Sequence, residues 1–142
     1  MITASDKKPP ASSGWNLDHI GYRKCNQYMG TPLASSVNTI RCYEDSIGQY
    51  VYLYIDAAAY LCVCEVEVYG TKKQAPRLAA DQINRAAGQR TWQSSTYSYG
   101  ASNLAVDENF DVAWAGKSCI RTNSEDHAWW AVDLDQPHLI YR

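Results

Sequence analysis

Residues 48–56 read GQYVYLYID, in which Tyr50, Tyr52 and Tyr54 alternate with Val51, Leu53 and Ile55. A strict period of two sends successive side chains to opposite faces, so this stretch predicts a strand with one aromatic and one aliphatic face. Two segments further along repeat the theme. In YLCVCEVEVYG (60–70), Val63, Glu65 and Glu67 alternate with Cys64, Val66 and Val68 until Gly70 ends the run. In AWWAVDL (128–134), Trp130, Val132 and Leu134 share one face, with Trp129, Ala131 and Asp133 on the other. One of the paired tryptophans belongs to a core; the other either lines a surface or packs as well. Upstream, SVNTIRC (36–42) predicts a short strand.

The remaining segments read differently. Residues 1–20, rich in Pro and Ser, predict a disordered or loosely held leader. Residues 71–90 are charged, Ala-rich and broken by Pro76, and read as a linker or as one short helix from Leu78 to Ala87 closed by Gly88. Strands outnumber possible helices throughout, which predicts an all-β sandwich.

The composition fits one domain: 142 residues, 46% hydrophobic, 20% charged, formal net charge −2. That charge balance argues against nucleic acid as a partner. The longest apolar run, 56–70, is interrupted by Asp56, Glu65 and Glu67, which argues against membrane insertion. The first residues, MITASDKKPPASSG, have no apolar core of the signal-peptide kind. Eleven tyrosines against one phenylalanine suit half-exposed strands and polar binding faces. The five cysteines suit disulfides better than metal, and the close pair Cys62/Cys64 predicts one bridge-former beside one buried free thiol. His19, His127 and His138 fall in turn-like contexts and no nucleophile elbow is present, so the expectation is a non-enzymatic protein. VDEN (106–109) and KSC (117–119) offer the hard oxygens that calcium prefers, although such turns more often bond only their own backbone.

Taken in order, QSSTYSYGASNLAVDENFD, GKSC and WWAVDL between residues 90 and 134 resemble the N-terminal half of an F-type lectin (fucolectin) domain, which carries a QSSTY-like strand, an AVDGN turn, a GSCxHT segment and a WWRVDL strand. IGQYVYLYI and LCVCEVEVYG resemble the C-terminal portion of the same domain. The resemblance implies a jelly-roll β-sandwich of the galactose-binding-like kind. It divides the chain into a leader (1–20), the C-terminal part of one domain (21–70), a linker (71–83) and the N-terminal part of a second domain (84–142). A piece of a tandem array is the simplest such reading, and a circularly permuted domain the alternative.

By position the family's features fall on Arg121, Trp114, Tyr97 and Tyr99 for the carbohydrate site. A structural calcium would be held by Asp107, Asn109 (through its carbonyl), Ser118, Glu65 and the Leu104 carbonyl. Disulfides Cys25–Cys42 and Cys64–Cys119 are implied, the first worth roughly 3 kcal/mol. The resemblance further implies fucosylated glycans or glycoproteins as partners, an oligomer or tandem neighbour domain, and an extracellular location. Three departures qualify it. Glu108 replaces the usual turn glycine. Arg121 stands where the family keeps a sugar-reading histidine, and an arginine cannot accept a hydrogen bond. The family's two later arginines, in an NRxD…R pattern, have no counterpart before Arg142. Weak or absent fucose binding is therefore expected. The runner-up reading is a discoidin or coagulation-factor C type module that binds lipid headgroups or proteins, and the third is a structural module with no small ligand.

Overall fold

A computed structural model describes residues 1–9, 23–27, 35–72 and 83–142. Ten strands form in these residues: β1 (Ile2–Ser5), β2 (Arg23–Asn26), β3 (Ile47–Tyr54), β4 (Ala58–Ala59), β5 (Cys62–Val63), β6 (Gly70–Lys72), β7 (Thr91–Gln93), β8 (Ile120–Arg121), β9 (Glu125–Asp126) and β10 (Trp129–Ile140). The only helical turns described are 3-10 turns at Ser102–Ala105 and Trp114–Gly116, so the fold is all-β as expected.

The main element is a curled antiparallel sheet in the order β2-β1-β3-β10-β6, with β7 also paired to β10. Two short ladders, β4 with β9 and β5 with β8, complete the architecture. Strand β10 holds two partners on one edge because it is bent. Its register on β3 moves from Asp133↔Tyr50 to His138↔Gly48, and Asp135 takes φ 68 inside the bulge. Before the bulge β10 pairs with β7, and beyond it with β6. His138 is therefore a buried strand residue, whereas its sequence context suggested a turn.

The alternation read from the sequence sets both faces of the sheet. Val51, Trp130, Val132 and Leu134 join Ala4, Val68, Ala105, Val106, Ile120 and Ile140 in the main core. Tyr50, Tyr52, Trp129 and Ala131 form a second cluster on the opposite face, with Tyr54 and Trp92 packed against it. Both tryptophans are buried, so Trp129 does not line a surface. The segment just after β1 closes this aromatic face: the Tyr52 hydroxyl donates to the Lys7 carbonyl, and the Lys8 ammonium lies 5.5 Å from the centre of the Trp92 ring.

Four expectations need correction. Residues 2–5 are no loose leader. They form β1, paired on both sides and with Thr3, Ala4 and Ser5 buried, because Ile2 and Ala4 meet Leu53 and Val51 across the ladder. Residues 10–20 of that leader lie outside the described residues. The segment 60–70 is not one continuous strand. Leu61 and Val63 pack on the core, and so do Val66 and Val68, so the phase slips by one residue at Cys64–Glu65. Past that slip the backbone is satisfied elsewhere: Val66 N–H donates to the Ala105 carbonyl and Val68 N–H to Asn84 Oδ1. Residues 36–42 form no strand. Finally, the supposed linker begins with β6, and Tyr69 bridges Asn84 across it; residues 84–87 are not helical, while 73–82 lie outside the described residues.

The two halves of the chain share one sheet through β3 and β10. They are also joined covalently, by Cys64–Cys119, while Cys25–Cys42 closes a shorter loop within the first half. Both bridges are those the resemblance implied, and disulfides of this kind suit an oxidising compartment. No helix among the described residues is long and apolar enough to cross a membrane.

Candidate functional site

Strand β8 fixes the first group of residues. It pairs with β5 in the register Cys62↔Arg121 and Val63↔Ile120. Ile120 is fully buried in the core, so by strand alternation Arg121 turns to the outside, on the same face as Cys62. The loop 97–100 lies along the other edge of β8. Tyr97 N–H donates to the Arg121 carbonyl at 2.8 Å, and Arg121 N–H donates to the Gly100 carbonyl at 3.1 Å.

Aromatic rings surround the guanidinium. Arg121 Cζ lies 4.3 Å from the ring centre of Tyr60, 4.7 Å from Tyr97 and 5.3 Å from Trp114. Tyr99 stacks on Trp114 with centroids 4.6 Å apart and donates its hydroxyl to the Trp114 carbonyl at 2.9 Å. Lys117 Nζ sits 5.5 Å from the Tyr99 ring centre, at the far end of the stack. Tyr60 and Tyr97 are about half exposed, at 51% and 48%, so the wall opens to solvent.

The four residues expected at a carbohydrate site thus converge. Tyr60 was missed, because it comes from the other half of the chain. Period two from Cys62 puts Tyr60 on the same side as Arg121, but only the β5–β8 register reveals it. Cys62 itself is the free thiol, and it is exposed rather than buried as expected.

Gly100 is essential to this packing. A β-carbon there would lie 2.4 Å from Arg121 N and 2.9 Å from Arg121 Cβ. Gly100→Ala should therefore displace β8 and cost on the order of 1–3 kcal/mol in a urea titration, with Tyr97 and Trp114 fluorescence shifted.

The second group lies around Glu65. Both of its carboxylate oxygens are buried without a hydrogen bond of normal geometry. Burial, reinforced by the charges of Asp107, Glu67 and Glu108 and partly opposed by the Glu108 backbone, pushes the Glu65 carboxyl up to about 7. Asp107 and Asn109 cap turns of their own: Asn109 N–H donates to Asp107 Oδ1 at 3.0 Å, and Asp111 N–H to Asn109 Oδ1 at 3.1 Å. Ser118 is buried, and its hydroxyl donates to the Asp111 carbonyl. Leu104 lies in the 3-10 turn whose Ala105 carbonyl accepts from Val66 N–H, next to Glu65 in the chain. Glu108 takes φ 60, the left-handed conformation that a glycine would adopt without strain.

No group of three or more His, Cys, Asp or Glu side chains converges as a metal cluster among the described residues. A hard cation here would draw on one buried carboxylate, the nearby Asp107 charge, and backbone or hydroxyl oxygens, a mixture that calcium accepts. His127 lies elsewhere, 3.3 Å from Asp56 on the surface.

No protein-family model, curated protein or solved structure matches this chain.

Proposed function

We propose that this chain is a non-enzymatic, secreted saccharide-binding module of the F-type lectin kind, with a jelly-roll sandwich and a structural calcium site. One observation carries the reading: the solvent-open wall of Tyr60, Tyr97 and Trp114 around Arg121, with Tyr99 stacked behind. Flat aromatic faces beside a fixed polar donor are the ingredients of a sugar site, where apolar ring faces stack and hydroxyls find hydrogen bonds. Saccharide binding on a glycan array, followed by calorimetry, is the test. Trp114→Ala should abolish whatever is bound while leaving the melting temperature nearly unchanged. A protein that retains no glycan in the array refutes the reading.

Calcium is supported by the orphaned carboxylate of Glu65, whose buried oxygens an ion would satisfy. Adding calcium at neutral pH should raise the melting temperature, and chelator should reverse the rise. Glu65→Gln should eliminate that response and, by removing a buried charge, stabilise the metal-free protein by ~1–2 kcal/mol at pH 8. The sign follows from a carboxyl whose folded pKa is raised to about 7. Its destabilisation of the metal-free protein is absent below the unfolded pKa, grows as pH climbs toward 7, and is complete above it. Urea titrations of both proteins at pH 4.5 and pH 8 measure the difference.

A discoidin-like lipid-binding role has one observation in its favour. Phe110 and Val112 are 61% and 49% exposed on the loop that follows Asp107, as apolar loop tips of membrane-binding modules would be. Flotation with anionic vesicles, lost in Phe110→Ser, would favour it over the lectin.

A further inference from the structure

We infer that the saccharide preferred at the Arg121 rim is anionic, bearing a carboxylate or a sulfate. This inference rests on the lectin reading above and names its ligand class. The rings of Tyr60, Tyr97 and Trp114 meet the guanidinium at 4.3–5.3 Å from its central carbon. Such cation–π contacts consume no N–H hydrogen bond of the guanidinium. Nε is buried and has no acceptor, so a ligand arriving from solvent meets the two terminal nitrogens. Among the described residues, no side-chain hydrogen bond or ion pair engages Arg121, and no carboxylate pairs with Lys117 at the other end of the Tyr99–Trp114 stack. Two cations therefore share one aromatic wall without a counter-charge, on a chain whose net charge is −2.

A hydroxyl of a neutral sugar can accept from one of these donors. A carboxylate or sulfate accepts two in parallel, in the fork geometry that guanidinium presents, and such charge-assisted bonds are roughly twice as strong as neutral ones. The three rings close around the guanidinium restrict its movement, so little side-chain entropy is lost on binding.

Cys62 makes the site readable. It is the free thiol, exposed, and directly across the ladder from Arg121, so a ligand seated on the guanidinium covers it. The experiment uses the full chain with sialyllactose and galactose-6-sulfate, set against lactose, galactose and L-fucose. Each saccharide is measured by calorimetry and by its effect on the rate of Cys62 alkylation.

At least one acidic saccharide should bind about tenfold tighter than its neutral parent and slow alkylation. Its advantage should shrink as salt is raised from 50 to 500 mM, on the order expected for a screened contact. Arg121→Gln should erase the preference, Arg121→Lys should retain part of it, and the exposed Lys117→Gln should reduce it with an unchanged melting temperature. Preference for the sulfate or for the carboxylate alone identifies the source of the anion and supports the inference. Equal or tighter binding of the neutral parents overturns it while the lectin reading stands. Binding of no saccharide at all overturns the lectin reading itself.

Discussion

Trp130→Ala should lower the unfolding free energy by about 3–5 kcal/mol, the largest loss expected from any single truncation among the described residues. Trp130 is fully buried, and it packs in the main core with Val51, Val132, Ile120 and Val106. Its ring nitrogen donates to the Ser102 carbonyl at 2.8 Å, which ties the 3-10 turn Ser102–Ala105 to the sheet. Truncation leaves a large cavity and removes the donor from that carbonyl. Small domains are stable by only ~5–15 kcal/mol, so the variant should be largely destabilised at physiological temperature. Trp130→Phe separates the two contributions. It retains most of the buried area but loses the hydrogen bond, and should cost about 1–2 kcal/mol in the same urea titration. Trp114→Ala, on the partly exposed wall, should cost far less, so the tryptophans can be ranked by burial alone.

Removing the Cys64–Cys119 bridge is the second large effect. It spans 55 residues, and closure of a loop that long in the unfolded chain corresponds to about 4 kcal/mol, against about 3 for the 17-residue separation of Cys25–Cys42. Cys64→Ala/Cys119→Ala should therefore melt well below Cys25→Ala/Cys42→Ala. The bridge also anchors the residue two positions before Arg121, and it sits where the core-facing phase of residues 61–68 slips. Its loss should weaken the proposed saccharide binding together with stability, whereas loss of Cys25–Cys42 should weaken stability alone. Both variants are best made with Cys62→Ser, since the exposed thiol lies two residues from Cys64 and can exchange with the bridge. Peptide mapping of the wild-type protein after mild reduction should detect Cys62–Cys119 as the first rearranged pair.

Much of this was legible in residues 48–56 and 128–134. Where each strand is long and buried on both faces, the period of two assigns the packed side chains correctly, Trp130 with Val132 and Tyr50 with Tyr52, whereas Ile55 lies past the end of β3 and joins neither cluster. Short strands escaped notice. Strand β1 has four residues followed at once by Asp6, Lys7 and Lys8, and its burial comes from partners about fifty residues away. No local pattern encodes that. The break at Cys64–Glu65 was hidden because the letters alternate without interruption; only the positions of Val63 and Val66 against the same core reveal the slip. At the rim, the residue types at 97, 99, 114 and 121 were readable by resemblance, but Tyr60 needed the pairing of β5 with β8.

The position of β1 bears on how the chain folds as it is made. Strand β1 lies inside the sheet, between β2 and β3, and the Met1 amino group donates to the Tyr54 carbonyl. Strand β3 in turn waits for β10, which begins at Trp129. The central ladder thus pairs residues far apart in the sequence, and such distant pairings fold slowly. During synthesis an aromatic-rich β3 is exposed with one edge open, a state prone to intermolecular pairing. A translational pause or a holding chaperone acting before Trp129 emerges should therefore decide the yield of soluble protein more than any change around Arg121.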